Sequence, residues 1–330
     1  MKVLITGGAG YIGSVLVKEL LNWRKYAGPN LSEWWEVISK LTVVDNLIRK
    51  QNTMGQFVMD PRFEFVKWDV SDYDLIKTYY DEADVILPLA GVVGAPRCHM
   101  LAQQAWNLNS VVPVGMVQWL KFSGHEAKVI YPCTNSGYGS RPDGRFITEE
   151  DELKPVSVYG KSKVSAEEQI LHYGGISLRL ATVMGWSPCM RLDLLVNDFV
   201  WRAVKDRTIV LFEKNMKRNY IHIEDVAKAF ILAINNYDKM KGQAFNVGLS
   251  TANLSKLELA EKIAEQIECH IVEAEFARDP DRRDYLVSNE KIEAMGFKPK
   301  WSVENTITQL IKFYKTITLD SANIFYENWG

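Results

Sequence analysis

Tyr159 and Lys163 stand four residues apart in Tyr159-Gly160-Lys161-Ser162-Lys163, a spacing that puts both side chains on one face of a helix. An ammonium group there favours the phenolate over the phenol. The pair therefore predicts a tyrosine whose pKa falls from about 10 toward working pH and which acts as a general base. Residues upstream indicate what such a base works with. Gly7, Gly10 and Gly13 follow the apolar run Val3-Leu4-Ile5-Thr6 and precede a stretch, 14–20, with apolar residues at helical spacing. Strand, glycine turn and helix in that order bring bare backbone N–H groups against an anion, with no Cβ atom at the points of closest approach. The pattern G-x-x-G-x-x-G is a relative of the dinucleotide fingerprint G-x-G-x-x-G, whose site also needs a carboxylate at the end of the second strand to hold the adenosine ribose. Asp45 closes Leu41-Thr42-Val43-Val44 in that place. It repels a 2′-phosphate, which favours NAD over NADP. Tyr11, Ile12 and Asn46 adjoin these anchors and are expected cofactor contacts, and Lys163 is expected to reach the nicotinamide ribose as well.

The elements that must position these groups alternate regularly. A strand at 63–66 leads to Asp69 and Val70, with Asp69 set either to meet the adenine amino group or to cap a helix begun at Ser71. A helix at 72–80 and an apolar strand at 83–89 follow, and Leu89, Ala90 and Gly91 end that strand with little bulk, so that cofactor can pass. A long helix over 96–121, kinked near Pro113, carries Asn109; a fifth strand spans 128–131, a helix 158–172 and a sixth strand 176–180. This alternation predicts an α/β fold, a doubly wound parallel (Rossmann) sheet with ligands at the carboxyl ends of its strands. After Met184 the regularity fails: a helix at 190–205, strands at 208–212 and 218–222, a helix at 225–236, a strand at 243–247, then helices at 255–267, 288–295 and 302–317. We expect residues 1–183 to form the NAD-binding domain with 222–247 returning to it. Residues 184–221 and 248–330 would form a smaller mixed α/β lobe for substrate.

Composition bounds the partners. The chain has 330 residues, 47% hydrophobic and 24% charged, as in soluble domains, and its net charge of -2 gives no electrostatic case for nucleic acid or a membrane surface. Cys98, Cys133, Cys189 and Cys269 are scattered without a C-x-x-C pair, so neither a metal site nor a disulfide scaffold is expected. No apolar leader core precedes the glycine turn and no run approaches the ~20 residues of a membrane span, so a cytoplasmic location is expected. The segment 22–40, with Trp23, Trp34 and Trp35, lengthens the interval between the glycines and Asp45, and the tail with Phe325, Tyr326 and Trp329 is aromatic.

The glycine turn, Asp45, the stretch from Tyr131 to Gly139, Tyr159 with Lys163, and Arg218-Asn219-Tyr220-Ile221-His222 together resemble the extended short-chain dehydrogenase/reductases that act on nucleotide-linked sugars. The resemblance implies catalysis by Tyr159, Lys163 and Thr134, with Thr134 hydrogen-bonded to the sugar oxygen being oxidised, most naturally at C4, and Asn109 as the long-helix asparagine. It also implies that Asn135 and Ser136 face the sugar and that Arg191, Asn197, Arg218, Arg278 and Arg283 serve the second diphosphate. His222 is read as structural. Family dehydratases carry Asp-Glu directly after the catalytic threonine; Asn135-Ser136 here lacks the acid that would protonate a leaving hydroxyl, so dehydration is not expected. Within the family, Thr134-Asn135-Ser136-Gly137-Tyr138-Gly139 and Arg283-Asp284-Tyr285-Leu286-Val287-Ser288-Asn289 are most similar to the C4 dehydrogenases of GDP-D-glycero-D-manno-heptose used in capsule heptose assembly. That branch implies a GDP-sugar substrate and tightly held NAD recycled by 2-oxoglutarate. The alternatives are 4-epimerisation of a UDP-hexose by the same residues and a non-catalytic dinucleotide-sensing module. The family also implies a homodimer, or a tetramer built from it, through the helices bearing Asn109 and Tyr159.

Overall fold

The computed structural model describes residues 1–22, 38–49, 53–141, 144–274 and 283–316. Arg278, residues 23–37 of the long segment before Asp45, and the aromatic tail lie outside the described residues. Seven strands build the central sheet: β1 (Lys2–Thr6), β2 (Lys40–Asp45), β3 (Phe63–Lys67), β4 (Val85–Pro88), β5 (Lys128–Thr134), β6 (Ile176–Leu180) and β7 (Ala244–Val247). They lie in the order β7-β6-β5-β4-β1-β2-β3, and every pairing is parallel. The chain runs outward from β1 to β3 and then returns to β4 on the other side of β1. The crevice between β1 and β4 is thus the point where a doubly wound sheet binds its ligand.

The buried runs of β1, β4 and β7 reflect helices on both faces of the sheet. Val3 and Ile5 point into one core with Leu16, Leu20 and Phe230, where the helix Tyr11–Leu21 packs on Ile223–Asn235. Leu4 points into the other, with Ile76, Met116, Leu120 and Ile170. Burying each such side chain contributes about 1.5–3 kcal/mol. Beyond the sheet, Thr182–Met184, Lys217–His222 and Asn253–Ser255 form a three-stranded sheet, and Leu286–Val287 pairs with Phe146–Ile147. The last pairing straps the Arg283 segment to the chain that follows Thr134.

Three elements differ from expectation. The helix expected over 96–121 breaks at Leu101 rather than at Pro113, and its middle, Asn107–Val111, is a π turn followed by the helix Val112–Ser123. Pro113 has no N–H for the carbonyl four residues before it, that of Asn109; the Tyr131 hydroxyl donates to that oxygen instead, at 2.9 Å. The helix expected from 190 begins at Leu195, because the Asn197 amide donates to the Arg191 carbonyl (2.9 Å) and Arg191 folds onto Asp193. Finally, β5 runs three residues past 131 to Thr134, pairing there only with β6, since its pairing with β4 stops at Val129. Pro132 therefore removes no ladder bond on the β4 side.

Candidate active site

At the carboxyl ends of β1 and β4 lies a cleft of about 1320 Å3, counting its solvent-open mouth. The glycine turn is its floor. Gly7 has φ +72°, and a Cβ there would lie 2.5 Å from the Ala90 nitrogen, while one on Gly13 would lie 2.5 Å from Gly8 Cα. The turn's own packing demands both. At Gly10 only the Gly7 carbonyl oxygen is near, at 3.2 Å, so its bare Cα keeps the cleft side open. Gly10 also begins the helix Tyr11–Leu21 with no side-chain cap and no acid in the first turn. The first N–H groups and the positive end of the helix dipole are left for an anion. A dinucleotide diphosphate fits these donors.

At one end of the cleft Asp45 is held by two backbone N–H groups, Ala9 at 3.0 Å and Leu47 at 2.8 Å, while burial pushes its carboxyl pKa up. Asn46 donates to Asp69 (2.9 Å), whose other oxygen accepts from Ser71 N–H (2.9 Å). Asp69 lines the cleft without capping the next helix; Asp72 caps it. Every residue expected to touch cofactor lines this cleft except Asn109. Asn109 is buried behind the wall: its amide donates to the Val92 carbonyl and the Ser162 hydroxyl, and its carbonyl oxygen, without a partner among the described residues, is aimed at Gly91, where a Cβ would come within 2.4 Å.

At the other end Tyr159 and Lys163 line the cleft with Pro132 and Cys133. Ser157 caps their helix, Val158–Tyr173, by accepting from Gly160 N–H at 3.1 Å. The charge relation between the pair differs from expectation. Burial pushes the Tyr159 phenol up to about 12, and the cations that draw it back are Arg191 and Arg283, not Lys163. Lys163, itself pushed down to about 8 by burial, holds its ammonium 4.4 Å from the centre of the Tyr131 ring. Desolvation of both groups outweighs their attraction.

Thr134 ends β5 as a buried hydroxyl that donates to Ser136 Oγ (2.9 Å) and accepts from Ser136 N–H (3.1 Å). Arg283 reaches across from the lobe and donates to the same Ser136 hydroxyl. Asn135 is 1% exposed, and neither end of its amide has a partner among the described residues. Such a group carries a desolvation cost of about 1–3 kcal/mol unless a polar group meets it. Arg191 lines the cleft, ion-paired with Asp193 through Nε at 3.0 Å. Asn197 is fully buried and its amide is spent inside the protein: it accepts from Gly185 N–H (3.0 Å) and donates to the Tyr11 hydroxyl (3.2 Å) and the Arg191 carbonyl (2.9 Å). Arg218 is buried in the strand Lys217–His222. His222 stacks on Trp301 with ring centres 4.1 Å apart, Gln309 Oε1 lies 3.0 Å from its Nε2, and Glu224 N–H donates to its Nδ1. Burial lowers its pKa.

Behind the threonine loop lies a buried network, of which only Tyr138 and Ser288 fall within the quoted motifs. Arg179 on β6 pairs with Glu167 of the Tyr159 helix (Nε to Oε1, 3.0 Å) and donates to the Tyr138 hydroxyl (2.9 Å), which donates to Asn246 Oδ1 (2.7 Å). Asn246 in turn donates to the Ser288 carbonyl at 3.1 Å. Sequence reasoning also missed Arg49, Arg97 and Trp68, which line the cleft. Arg49, four residues past Asp45, was the one legible signal among them. Among the described residues no cluster of His, Cys, Asp and Glu is placed to hold a metal, and no helix is long and apolar enough to cross a membrane.

The profile of the family described as "NAD dependent epimerase/dehydratase family" matches residues 3–248. Over 324 residues the chain is 28% identical to the low-salt glycan biosynthesis protein Agl12 of Haloferax volcanii, covering 95% of this chain and 98% of that one. It is 27% identical to a UDP-glucose 4-epimerase of Lacticaseibacillus casei, covering 91% of this chain and 92% of the relative. Among solved structures, DesIV, a dTDP-glucose 4,6-dehydratase of Streptomyces venezuelae with NAD and TYD bound, aligns with a TM-score of 0.82 at 23% identity over 96% of this chain and 97% of its own.

Proposed function

The chain belongs to the NAD dependent epimerase/dehydratase family, so it is an NAD-dependent enzyme of that kind, and from this premise we propose that it oxidises C4 of a nucleotide-linked sugar, GDP-D-glycero-D-manno-heptose, and that 2-oxoglutarate takes up the electrons. The observation that carries the reading is the neutral pair Asn135-Ser136 directly after Thr134, which ends β5 one residue past Pro132 and Cys133 of the cleft wall. An amide and a hydroxyl bind a sugar's substituents without the acidity needed to expel one, so the ketone is not carried on to dehydration. Residues 184–221 and 248–330 hold the nucleotide, with Arg218, Arg278 and Arg283 at its diphosphate. Asn197 positions Arg191 and Tyr11 and does not itself meet the ligand. The exposed Met100, Trp106 and Val111, on the helical run beside the Tyr159 helix, support a homodimer through that face.

Bound NAD supplies the hydride acceptor. Tyr159 takes the proton of the C4 hydroxyl, helped by the positive charge of Arg191 and Arg283. Thr134 donates to the same oxygen as its charge changes, and Lys163 holds the ribose next to it. The Asp45 carboxylate, fixed by the Ala9 and Leu47 amides, orients the adenosine end. In net terms the sugar loses two hydrogens and 2-oxoglutarate gains them. A second reading, 4-epimerisation of a UDP-hexose, uses the same residues, and the Lacticaseibacillus relative supports it. Mass spectrometry after incubation with GDP-heptose, GDP-mannose or UDP-glucose, with and without 2-oxoglutarate, tests both. The proposal expects a GDP-sugar product lighter by two hydrogens, in quantity only with 2-oxoglutarate; an isobaric UDP-hexose product would favour the epimerase.

A further inference from the structure

Three guanidinium groups from three separate segments line the one cleft: Arg49 just beyond Asp45, Arg97 from the helix Ala95–Met100, and Arg191 from the loop entering the lobe. Asp45 and Asp69 also line the cleft, but only one of the three is ion-paired. Arg191 is paired with Asp193, whereas among the described residues neither Arg49 nor Arg97 lies within ion-pair distance of a carboxylate. Like charges crowded in a half-buried cleft repel, and burial together with the charges of Arg191 and Arg97 lowers the pKa of Arg49. The positive end of the Tyr11–Leu21 helix adds to the excess. Backbone geometry supports the gathering: Gly94, at φ +90°, starts the Arg97 helix, and a Cβ there would lie 3.3 Å from Arg191 Nη2 and 3.6 Å from Asp193 Oδ2.

We propose that Arg49, Arg97 and Arg191 form a cationic collar that closes on the dinucleotide's diphosphate from the side opposite the glycine turn and keeps the cofactor resident through turnover. Arg49 stands at the adenosine end beside Asp45 and Arg191 at the Tyr159 end, so together they span the middle of the cleft. The inference rests on the NAD assignment and not on the sugar. A resident cofactor is restored on the enzyme, either by returning hydride to the sugar or by a second substrate that reaches the same site.

The test measures binding to the full-length protein stripped of nucleotide, by equilibrium dialysis at 50 and 200 mM NaCl, with NAD, adenosine, GDP and UDP as probes. Arg49→Gln and Arg97→Gln should each weaken NAD binding about tenfold, the size of a lost charge-assisted hydrogen bond. They should also flatten its salt dependence and leave adenosine binding unchanged. Arg97→Lys, which keeps the charge, should recover part of the loss and guards against misfolding as the cause. NAD affinity within twofold of wild type in the double variant would overturn the collar. So would an equal loss for adenosine, or a loss confined to GDP and UDP, which would assign the arginines to the substrate. If NAD binding behaves as expected while no sugar is turned over, the collar stands and the sugar assignment falls.

Discussion

In the proposed reaction Tyr159 gives up a proton in a pocket that resists its charge. Burial holds the phenol near 12, and only the Arg191 and Arg283 cations offset that. The oxidation rate should therefore rise with pH across the neutral range. Removing a cation should move that rise to higher pH, so Arg283→Met shifts the rising limb of kcat upward; a limb that stays in place would show that Arg283 does not act on the phenol. Tyr159→Phe should lower kcat by about 10²- to 10⁴-fold, the usual worth of a general base, with the Kd for NAD nearly unchanged. Tyr159, Lys163, the glycines and Asp45 were legible because their chemistry demands fixed residue types at fixed spacing. The failed lowering of the Tyr159 pKa was not legible. Spacing shows which groups are near, but the balance of desolvation against attraction depends on the depth of burial, which spacing does not carry.

At the level of elements, the parallel strands were legible from their apolar stretches alternating with helical ones, and the end of β6 at Leu180 falls where the pattern puts it. Interruptions were not. Pro113 signalled a break, but the run breaks at Leu101, and beside Pro113 it continues as a π turn whose Asn109 carbonyl takes the Tyr131 hydroxyl, a contact between residues 22 apart. The helix start at Leu195 was likewise moved by long-range bonds of Asn197. The Arg179–Glu167 pair joins β6, the Tyr159 helix and the threonine loop. Glu167→Gln leaves Arg179 buried without its counter-charge, so unfolding free energy from denaturant titration should fall by about 3 kcal/mol. A change under about 0.5 kcal/mol would mean the pair does not brace the site.

Across the whole molecule, the sheet supplies the floor of the cleft, Arg191 lines it and Arg283 reaches the Ser136 hydroxyl, so the junction between the sheet and the chain beyond β6 sets the cations around Tyr159. His222, stacked on Trp301 and bonded to Gln309, pins that junction as a neutral ring. Its folded pKa lies below the unfolded value of about 6.5, so protons bind the unfolded chain more readily. The stability it contributes is present above about 6.5 and is lost as pH falls from there toward the folded pKa. His222→Gln should flatten the denaturation midpoint between pH 7 and 5; an equally steep loss in the variant would assign that loss to other groups. The central claim is net C4 oxidation, and its most direct test follows a deuterium placed at C4 of the GDP-heptose during turnover with 2-oxoglutarate. The account predicts that the label appears at C2 of 2-hydroxyglutarate while the sugar becomes a 4-ketone. Deuterium retained at C4 of a sugar of unchanged mass would contradict it.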